Sequence, residues 1–292
     1  MTQLRLLAIA CLAFGIPVLA QPEQKSKPAS SAKGKGGTPP PTDAECIKLP
    51  ALKPPWAFTP GEVLEFDVDA MGAVAAKLWL RSLPPKNGLW PIQVEAKSNT
   101  LFSKVRRVSG GGISYLSPKD LHPVRYEEDT TENEIRKTAQ VQFRPKEKQV
   151  KIQWTQGEKK GEHQYRYHND ALDLAGAMYL IRHLPMAEGK RYCFDVYGIR
   201  RLWRIDAKVE AREHVSLPVG EFEAWHLSGL AIRLDQPVWR RELHMWFSDD
   251  KRRLPLVAVG VIDIGAVRAT LNSFHRPGEA SSRADGKEDL KW

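Results

Sequence analysis

The sequence predicts a mainly β protein, built as an antiparallel, strongly curved sheet that forms an open or closed barrel with one amphipathic helix packed on or in it. Three observations predict this fold. Apolar and polar residues alternate with period two along many segments. Short clusters of Gly, Pro and Asn separate these segments. Only one long segment has helical spacing instead. Many strands with one buried face indicate an antiparallel sheet that curls on itself.

The alternation is clearest in four segments of the chain. The side chains expected to face the core are Leu64, Phe66 and Val68; Ile92, Val94 and Ala96; Val150, Ile152 and Trp154; and Trp203, Ile205, Ala207 and Val209. Charged or polar residues lie between them, on the face expected to meet water. Turns are predicted at Pro84–Gly88, Gly110–Gly112, Gln156–Gly157 and Val219–Gly220.

The segment from Asp170 to Leu184 is the predicted helix. Its apolar residues recur at helical spacing, and Asp170 can cap the first turn while Asp173 places negative charge near the helix N-terminus. Pro185 ends the helix, because the residue before a proline avoids helical geometry. We expect this helix to cover or plug one side of the barrel.

The N-terminus predicts export. Arg5 precedes a short apolar run that closes on Val18-Leu19-Ala20, so residues 1–20 are a predicted signal peptide with cleavage after Ala20. No later segment approaches the ~20 apolar residues of a transmembrane helix, so no transmembrane span is expected after cleavage. The predicted location is the periplasm or the exterior. Leu7–Cys11 resembles a lipoprotein signal, but Ile9 and the short apolar run argue against an anchor at Cys11.

Composition divides the rest of the chain. Residues 21–45 contain almost no apolar side chains and are rich in Pro, Lys, Ser and Gly. We therefore predict a disordered linker over residues 21–55, one β domain over residues 56–276 and a polar C-terminal tail over residues 277–292.

Two cysteines remain once the signal peptide is removed. Cys46 lies near the end of the linker and Cys193 in a predicted strand, in a compartment where disulfides persist. The pair is a candidate disulfide that would attach the linker to the domain. The alternative is two unpaired thiols.

The formal net charge is +9. A basic exported protein suits anionic lipid head groups, anionic glycans or acidic protein partners, whereas a nucleic-acid partner is not expected outside the cytoplasm. Because the basic residues are interspersed with acidic ones, the alternative is a simple solvated surface.

The aromatic residues supply the candidate ligand-binding positions. The chain has nine tryptophans, and several lie beside arginine, which suits stacking on sugars or anionic head groups. The candidates are Trp203, Arg204, Trp239, Arg241, Trp246 and Tyr179. The alternative is that these large side chains fill a wide β core.

No catalytic or metal-binding residues are predicted, and no cofactor is implied. The serines lack a G-x-S-x-G context. His226 shares the parity of the apolar Phe222, whereas His244 falls opposite Met245 in the alternation, so we expect these two histidines to face different sides.

Four motifs, in order, resemble the DUF3108 family of exported bacterial proteins. They are Phe58–Phe66 (FTPGEVLEF), Asp173 and Tyr179 with Arg182–Pro185 and Gly189, Leu217–Phe222 (LPVGEF), and Trp246–Asp250 leading to Arg253–Pro255. The resemblance covers roughly residues 56–275. It implies a periplasmic or envelope β domain of unassigned activity, and it transfers no catalytic residues. Phe66 replaces the Tyr that is usual in the opening strand.

These observations favour a non-enzymatic envelope protein that binds a lipid or other amphipathic molecule in the barrel. The alternative is an envelope scaffold that contacts glycan or a protein partner through a basic Arg/Trp surface. A hydrolase is the third hypothesis, with no constellation of residues in its favour.

Overall fold

A computed structural model describes residues 46–70, 72–104, 106–198, 201–262, 265–279 and 282–283. The predicted signal peptide, Cys11 and residues 21–45 of the predicted linker lie outside the described residues. Structural statements below concern the described ranges.

The described residues are mostly β-strand. The strands are β1 Val63–Ala70, β2 Ala73–Ser82, β3 Trp90–Ser98, β4 Val108–Leu116, β5 Pro123–Glu132, β6 Ile135–Arg144, β7 Gln149–Gln156, β8 Lys159–Arg166, β9 Ala171–Asp173, β10 Arg191–Gly198, β11 Arg201–Leu217, β12 Gly220–Arg233, β13 Arg240–Ser248, β14 Pro255–Ile262, β15 Gly265–His275 and β16 Ser282–Arg283. The α-helix is α1, Leu174–Ile181, and a 3-10 turn covers Phe102–Lys104.

All the strands belong to one sheet. Its order is β8-β7-β6-β5-β4-β3-β2-β1-β15-β14-β13-β12-β11-β10-β9, and β16 pairs with β15. Neighbours are antiparallel except β9 and β10, which are parallel. Strands that follow one another in the chain pair along most of this order, and the long-range pairing of β1 with β15 joins the two halves. The predicted mainly β, antiparallel architecture is confirmed.

The sheet curls without closing into a barrel. In the described part of the chain, β8 and β9 stand at the two ends of the strand order and do not pair with each other. Tyr197 of β10 nevertheless lies against Tyr126 of β5, with ring centroids 5.8 Å apart, and Arg201 of β11 reaches His163 of β8 at 3.3 Å. The sheet is therefore open, and the predicted barrel is not confirmed; strands near its two ends contact each other through side chains.

The predicted alternation holds where one face of a strand meets the core. Leu64, Phe66 and Val68 of β1 are buried, while the residues between them are partly exposed. Full burial of each such side chain contributes about 1.5–3 kcal/mol. In β11 the prediction is wrong at Arg204, which was expected to face water and is buried against Asp195 of β10. Because β10 lies inside the curve of the sheet, nearly all its residues are buried on both faces.

The glycine triplet at residues 110–112 is not a turn but the middle of β4. Its role is close packing of strands: a Cβ on Gly112 would overlap the hydroxyl of Tyr126 on β5, and a Cβ on Gly111 would overlap the backbone of β3. Glycine in a strand interior can mark such a close approach of another chain segment.

The helix is shorter and more buried than predicted. It begins after Asp173, whose carboxylate accepts a hydrogen bond from the backbone N–H of Gly176 at 2.8 Å, and it ends at Ile181. Asp170 is not the cap; it accepts a hydrogen bond from the N–H of Leu49 at 2.8 Å. Six of the eight helical residues are buried, because α1 lies between β3 and β4 on one side and β9 and β10 on the other. The two residues that stay partly exposed, Leu174 and Met178, lie one turn apart on the same face of the helix.

The described residues include 46–55, which fall in the predicted linker. A disulfide joins Cys46 to Cys193 of β10, with Cα atoms 5.1 Å apart. Cys46 and Leu49 are both buried against the domain. At the other end, β16 adds two residues of the predicted tail to the sheet. No helix within the described ranges has the length and apolar character needed to cross a membrane.

Candidate functional site

A buried ion pair lies where the helix ends. The carboxylate of Glu62 accepts hydrogen bonds from both terminal nitrogens of Arg182, at 2.6 and 3.0 Å, and neither side chain is exposed to solvent. Arg276 adds a second guanidinium, with Nε 3.1 Å from Glu62 Oε2. Arg182 and Arg276 also donate to the carbonyl of Ala57. We call Phe58, Glu62, Tyr179, Arg182 and His183 the helix junction.

His183 and Tyr179 complete this junction. His183 Nε2 accepts a hydrogen bond from the N–H of Ala57 at 2.6 Å, and its Nδ1 donates to the carbonyl of Tyr179 at 2.9 Å. Burial lowers the pKa of His183 to about 4, so the ring is neutral. Tyr179 is fully buried, with its ring edge-on to Phe58 at 4.7 Å. The structure thus places the predicted ligand-binding Tyr179 in an enclosed structural contact.

A second polar group lies at the other end of the helix. Ser114 of β4 donates a hydrogen bond to the cap residue Asp173 at 2.6 Å. Burial raises the pKa of the Asp173 carboxyl to about 6, although these hydrogen bonds oppose the shift.

The inner face of β5 and β6 changes from apolar to charged along its length. Val141 and Phe143 of β6 are buried near the helix, whereas Lys137 on the same face is buried and ion-paired with Glu132. Glu132 also pairs with Arg106. Buried charges are retained only where they are paired, because their desolvation is costly. The interior is therefore amphipathic.

The structure brings only two of the predicted ligand-binding residues together. Arg241 of β13 lies over the ring of Trp203, with Cζ 5.4 Å from the ring centroid. Trp203 is buried and donates its Nε1–H to the carbonyl of Gly198. Arg204 faces the opposite side and is 2.9 Å from Asp195. Trp239 is exposed in the β12–β13 connection.

Sequence reasoning missed the residues where the two ends of the sheet meet. Trp154, His163 and Tyr165 of β7 and β8 share one face and lie opposite Arg201 of β11. The ring of Trp154 stacks on His163 at 5.9 Å and lies over Gly161, where a Cβ would come within 2.6 Å of it. Half-burial raises the pKa of Tyr165, and the charge of Arg201 beside it opposes that shift. We call Trp154, His163, Tyr165 and Arg201 the seam.

The expectation that His226 and His244 face different sides is wrong. On β12, Phe222 is buried on one face and Leu227 on the other, so the core side changes along this strand. Parity with Phe222 therefore does not place His226 in the core. In the observed register, Ser228 lies opposite His244, so both histidines share one face.

These histidines form a cluster with two other side chains. His226 Nε2 is 3.0 Å from His244 Nδ1. His226 also contacts Glu213 of β11 and stacks on Trp246, the last of the predicted ligand-binding residues. We call Glu213, His226, His244 and Trp246 the histidine cluster. Among the described residues, no group of three or more His, Cys, Asp or Glu side chains is arranged to hold a metal ion.

Comparisons with solved structures identify the fold. The chain is similar to a β-barrel-like protein with the domain of unknown function DUF1849 from Brucella abortus, with a TM-score of 0.53 and 6% identity over 76% of this chain and 100% of that one. A putative exported protein with a YmcC-like fold from Bacteroides fragilis matches with a TM-score of 0.34, at 8% identity over 77% of this chain and 99% of that one. At such identities the likeness to the Brucella protein concerns the fold alone.

The sequence comparison identifies the family. No curated protein matches the sequence. The profile of the family described as "Protein of unknown function (DUF3108)" matches residues 70–272, which is most of the β domain. The chain therefore belongs to the DUF3108 family.

Proposed function

We propose that this chain is an exported envelope protein that binds a lipid or another amphipathic molecule within its curved sheet. The observation that carries the proposal is the seam. The two ends of one sheet approach each other there without backbone pairing, so side-chain movements alone can widen the gap. Its half-buried aromatic rings and the guanidinium of Arg201 suit a ligand with an apolar body and an anionic head group.

The inner face behind the seam supports the same ligand class. Val141 and Phe143 offer apolar contacts near the helix, and Lys137 with Arg106 offers positive charge farther along the strands. A protein that needed only a stable core could fill this face with apolar side chains at no loss of stability. Buried ion pairs at one end are better explained if that end meets a polar group.

Two features support an exported protein. The N-terminal sequence has the charged, apolar and small-residue regions of a signal peptide. The Cys46–Cys193 disulfide belongs in an oxidising compartment, since thiols in the cytosol are kept reduced.

The test is binding of 11-(dansylamino)undecanoic acid to the purified full chain, followed by its fluorescence and by competition with lysophosphatidylcholine. We expect saturable binding that weakens in Arg201→Gln and Tyr165→Ala. Arg166→Gln is the matched control, because Arg166 lies on β8 but is exposed on the other face. Absence of saturable binding, or equal binding in all variants, would refute the proposal.

A specific observation favours a second function, contact with an envelope glycan or protein partner. Val238 is 86% exposed and Trp239 is 36% exposed at the tip of the β12–β13 connection, beside Arg240. If this tip is a contact site, Trp239→Ser should reduce co-sedimentation with purified peptidoglycan or envelope membranes. Leu101→Ser, which removes a 72% exposed apolar side chain elsewhere on the surface, should not.

A further inference from the structure

Two imidazole nitrogens of the histidine cluster lie close enough together to share one cation. His226 Nε2 and His244 Nδ1 face each other at 3.0 Å. Two nitrogens bound to one metal ion at about 2.0–2.1 Å, with angles of roughly 90–110°, lie roughly 2.9–3.4 Å apart. The observed separation therefore fits a shared metal ion as well as it fits a hydrogen bond between the rings.

The protonation of His226 is set by its neighbour. Its Nδ1 is 2.8 Å from Glu213 Oε1, and an ionised carboxylate can only accept, so Nδ1 carries the proton. The other nitrogen, Nε2, then accepts a hydrogen bond from the Nδ1–H of His244, and a metal ion shared by the two nitrogens takes the place of that proton. A histidine that ligates a metal ion usually donates its second N–H to a carboxylate in this way.

Trp246 holds this arrangement in place. Its Nε1–H donates to the second oxygen of Glu213 at 2.7 Å, and its ring stacks on His226 with centroids 4.4 Å apart and planes 4° apart. The orientation of the His226 ring is therefore fixed by a stacked partner on its face and a carboxylate on its edge. A ligand ring that is already oriented loses little conformational entropy on binding.

A β-bulge in β11 lies directly beside the histidine cluster. The pairing of β11 with β12 shifts between Val209 and Arg212, so Glu210 and Ala211 together lie opposite His226. Bulges of this kind redirect side chains and recur beside functional sites. Glu210 accepts a hydrogen bond from Ser228, the residue opposite His244.

We propose that His226 Nε2 and His244 Nδ1 bind a divalent transition-metal ion, with Glu213 as a positioning residue. Imidazole nitrogens suit Cu²⁺, Ni²⁺ and Zn²⁺, and Cu²⁺ binds such sites most tightly. The side chain of His226 is 15% exposed and that of Glu213 is 42% exposed, so the ion can enter from solvent. The remaining coordination positions are filled by water or by a small exogenous ligand.

The experiment is a titration of the EDTA-treated full chain with CuCl₂, followed by isothermal calorimetry and by electron paramagnetic resonance. We expect one tight equivalent of Cu²⁺ with nitrogen hyperfine structure, and quenching of part of the tryptophan fluorescence through Trp246. His244→Gln and His226→Gln should each abolish the tight equivalent. Glu213→Gln should weaken it by roughly 10–100-fold, as loss of a partner that orients a ligand does.

His214→Gln is the matched control. His214 also lies on β11 beside two carboxylates, Glu221 and Glu223, but its side chain is 61% exposed and faces no second histidine. This variant should retain the tight equivalent. Binding that survives in both His226→Gln and His244→Gln, or no stoichiometric binding to the wild type, would overturn the proposal. His244→Gln keeps the test valid if loss of the stacked His226 ring prevents folding.

Discussion

The helix junction and the histidine cluster contain the same kinds of side chain in different surroundings. At the junction, Glu62 and Arg182 are fully buried, and His183 is held by two backbone groups. In the cluster, Glu213 and His226 are partly exposed, and one imidazole nitrogen faces another. Side chains with all their hydrogen bonds taken by the chain itself stabilise the fold. Partly exposed imidazoles that are hydrogen-bonded to each other can exchange that hydrogen bond for a ligand.

The comparison also explains what the family motifs do. Glu62 belongs to the first motif and Arg182 to the second, and the structure joins them in one buried ion pair. At these two residues, the motifs that carry the family resemblance therefore stabilise the fold. Of the four residues of the histidine cluster, only Trp246 belongs to one of these motifs.

The largest loss of stability is expected when the Glu62–Arg182 ion pair of the helix junction is removed. Glu62→Ala should lower the free energy of unfolding by about 3–5 kcal/mol, because it leaves the buried guanidinium of Arg182 without its partner. Urea unfolding measures this. The control is Asp129→Ala, which removes the partner of Arg136 in an ion pair that is 56% and 69% exposed, and it should cost at most about 1 kcal/mol. Equal losses of unfolding free energy in the two variants would show that the contribution of these two ion pairs to stability does not depend on their burial.

Removal of the disulfide should cause the second largest loss of stability. Replacing Cys46 and Cys193 with Ala is expected to lower the free energy of unfolding by about 2–5 kcal/mol, since the bridge closes a long loop in the unfolded chain. Urea unfolding with and without reductant is the measurement. Reductant should destabilise the wild type and leave the double variant unchanged; a wild type that is insensitive to reductant would contradict this expectation.

The two ends of the helix should respond to pH with opposite signs. The raised pKa of Asp173, about 6, means that the folded chain binds this proton more tightly, so its contribution to stability falls as pH rises from about 4 to 6. The lowered pKa of His183, about 4, means that the unfolded chain binds that proton more tightly. Its contribution therefore rises between about pH 4 and 6.5. At about 1.4 kcal/mol per pKa unit, each effect is about 3 kcal/mol at most, and the two nearly cancel.

Single variants should separate these two effects. From pH 4 to 6, Asp173→Asn should gain stability relative to the wild type, and Asn remains a good helix cap. Over the same range, His183→Gln should lose stability relative to the wild type. Urea unfolding at pH 4.5, 5.5 and 6.5 measures both. Parallel pH profiles for the wild type and either variant would show that the corresponding group does not titrate in this window.

The smallest change in stability is expected from a substitution in the histidine cluster. Glu213→Gln should change the free energy of unfolding by less than about 1 kcal/mol, because the carboxylate is partly exposed and the amide oxygen can still accept one of its two hydrogen bonds. Thermal unfolding without metal ions gives this value. A loss as large as that of Glu62→Ala would show that the cluster is another structural contact.

Local sequence patterns were sufficient to predict a strand where only one face of that strand meets the core. The alternation of Leu64, Phe66 and Val68 identified β1 because the opposite face of that strand meets water. The same reasoning failed at Arg204, since the curl of the sheet covers both faces of the β10 end. It also named Asp170 as the helix cap in place of Asp173, because no local pattern shows that Asp170 instead accepts a hydrogen bond from the N–H of the distant Leu49.

The seam and the histidine cluster depend on register, which no local pattern specifies. His163 and Arg201 meet only because the two ends of a long sheet curve toward each other. The faces of His226 and His244 follow from the pairing of β12 with β13, and the approach of Glu210 follows from a bulge. The disulfide, by contrast, could be suggested without register, because the sequence predicts export and leaves two cysteines after the predicted cleavage site.

The pairing of β1 with β15 has a consequence for the order in which the chain can fold. Val63 lies opposite His275, so the first strand of the domain finds one of its two partners only in the last long strand to be synthesised. A nascent chain can form the meander β1–β8, but one edge of β1 stays open until β15 is made. Contacts between residues so far apart in the chain make folding slow. The molecule should therefore acquire its native core only after the whole domain has emerged, and during that interval a chaperone would find the edge of β1 unprotected.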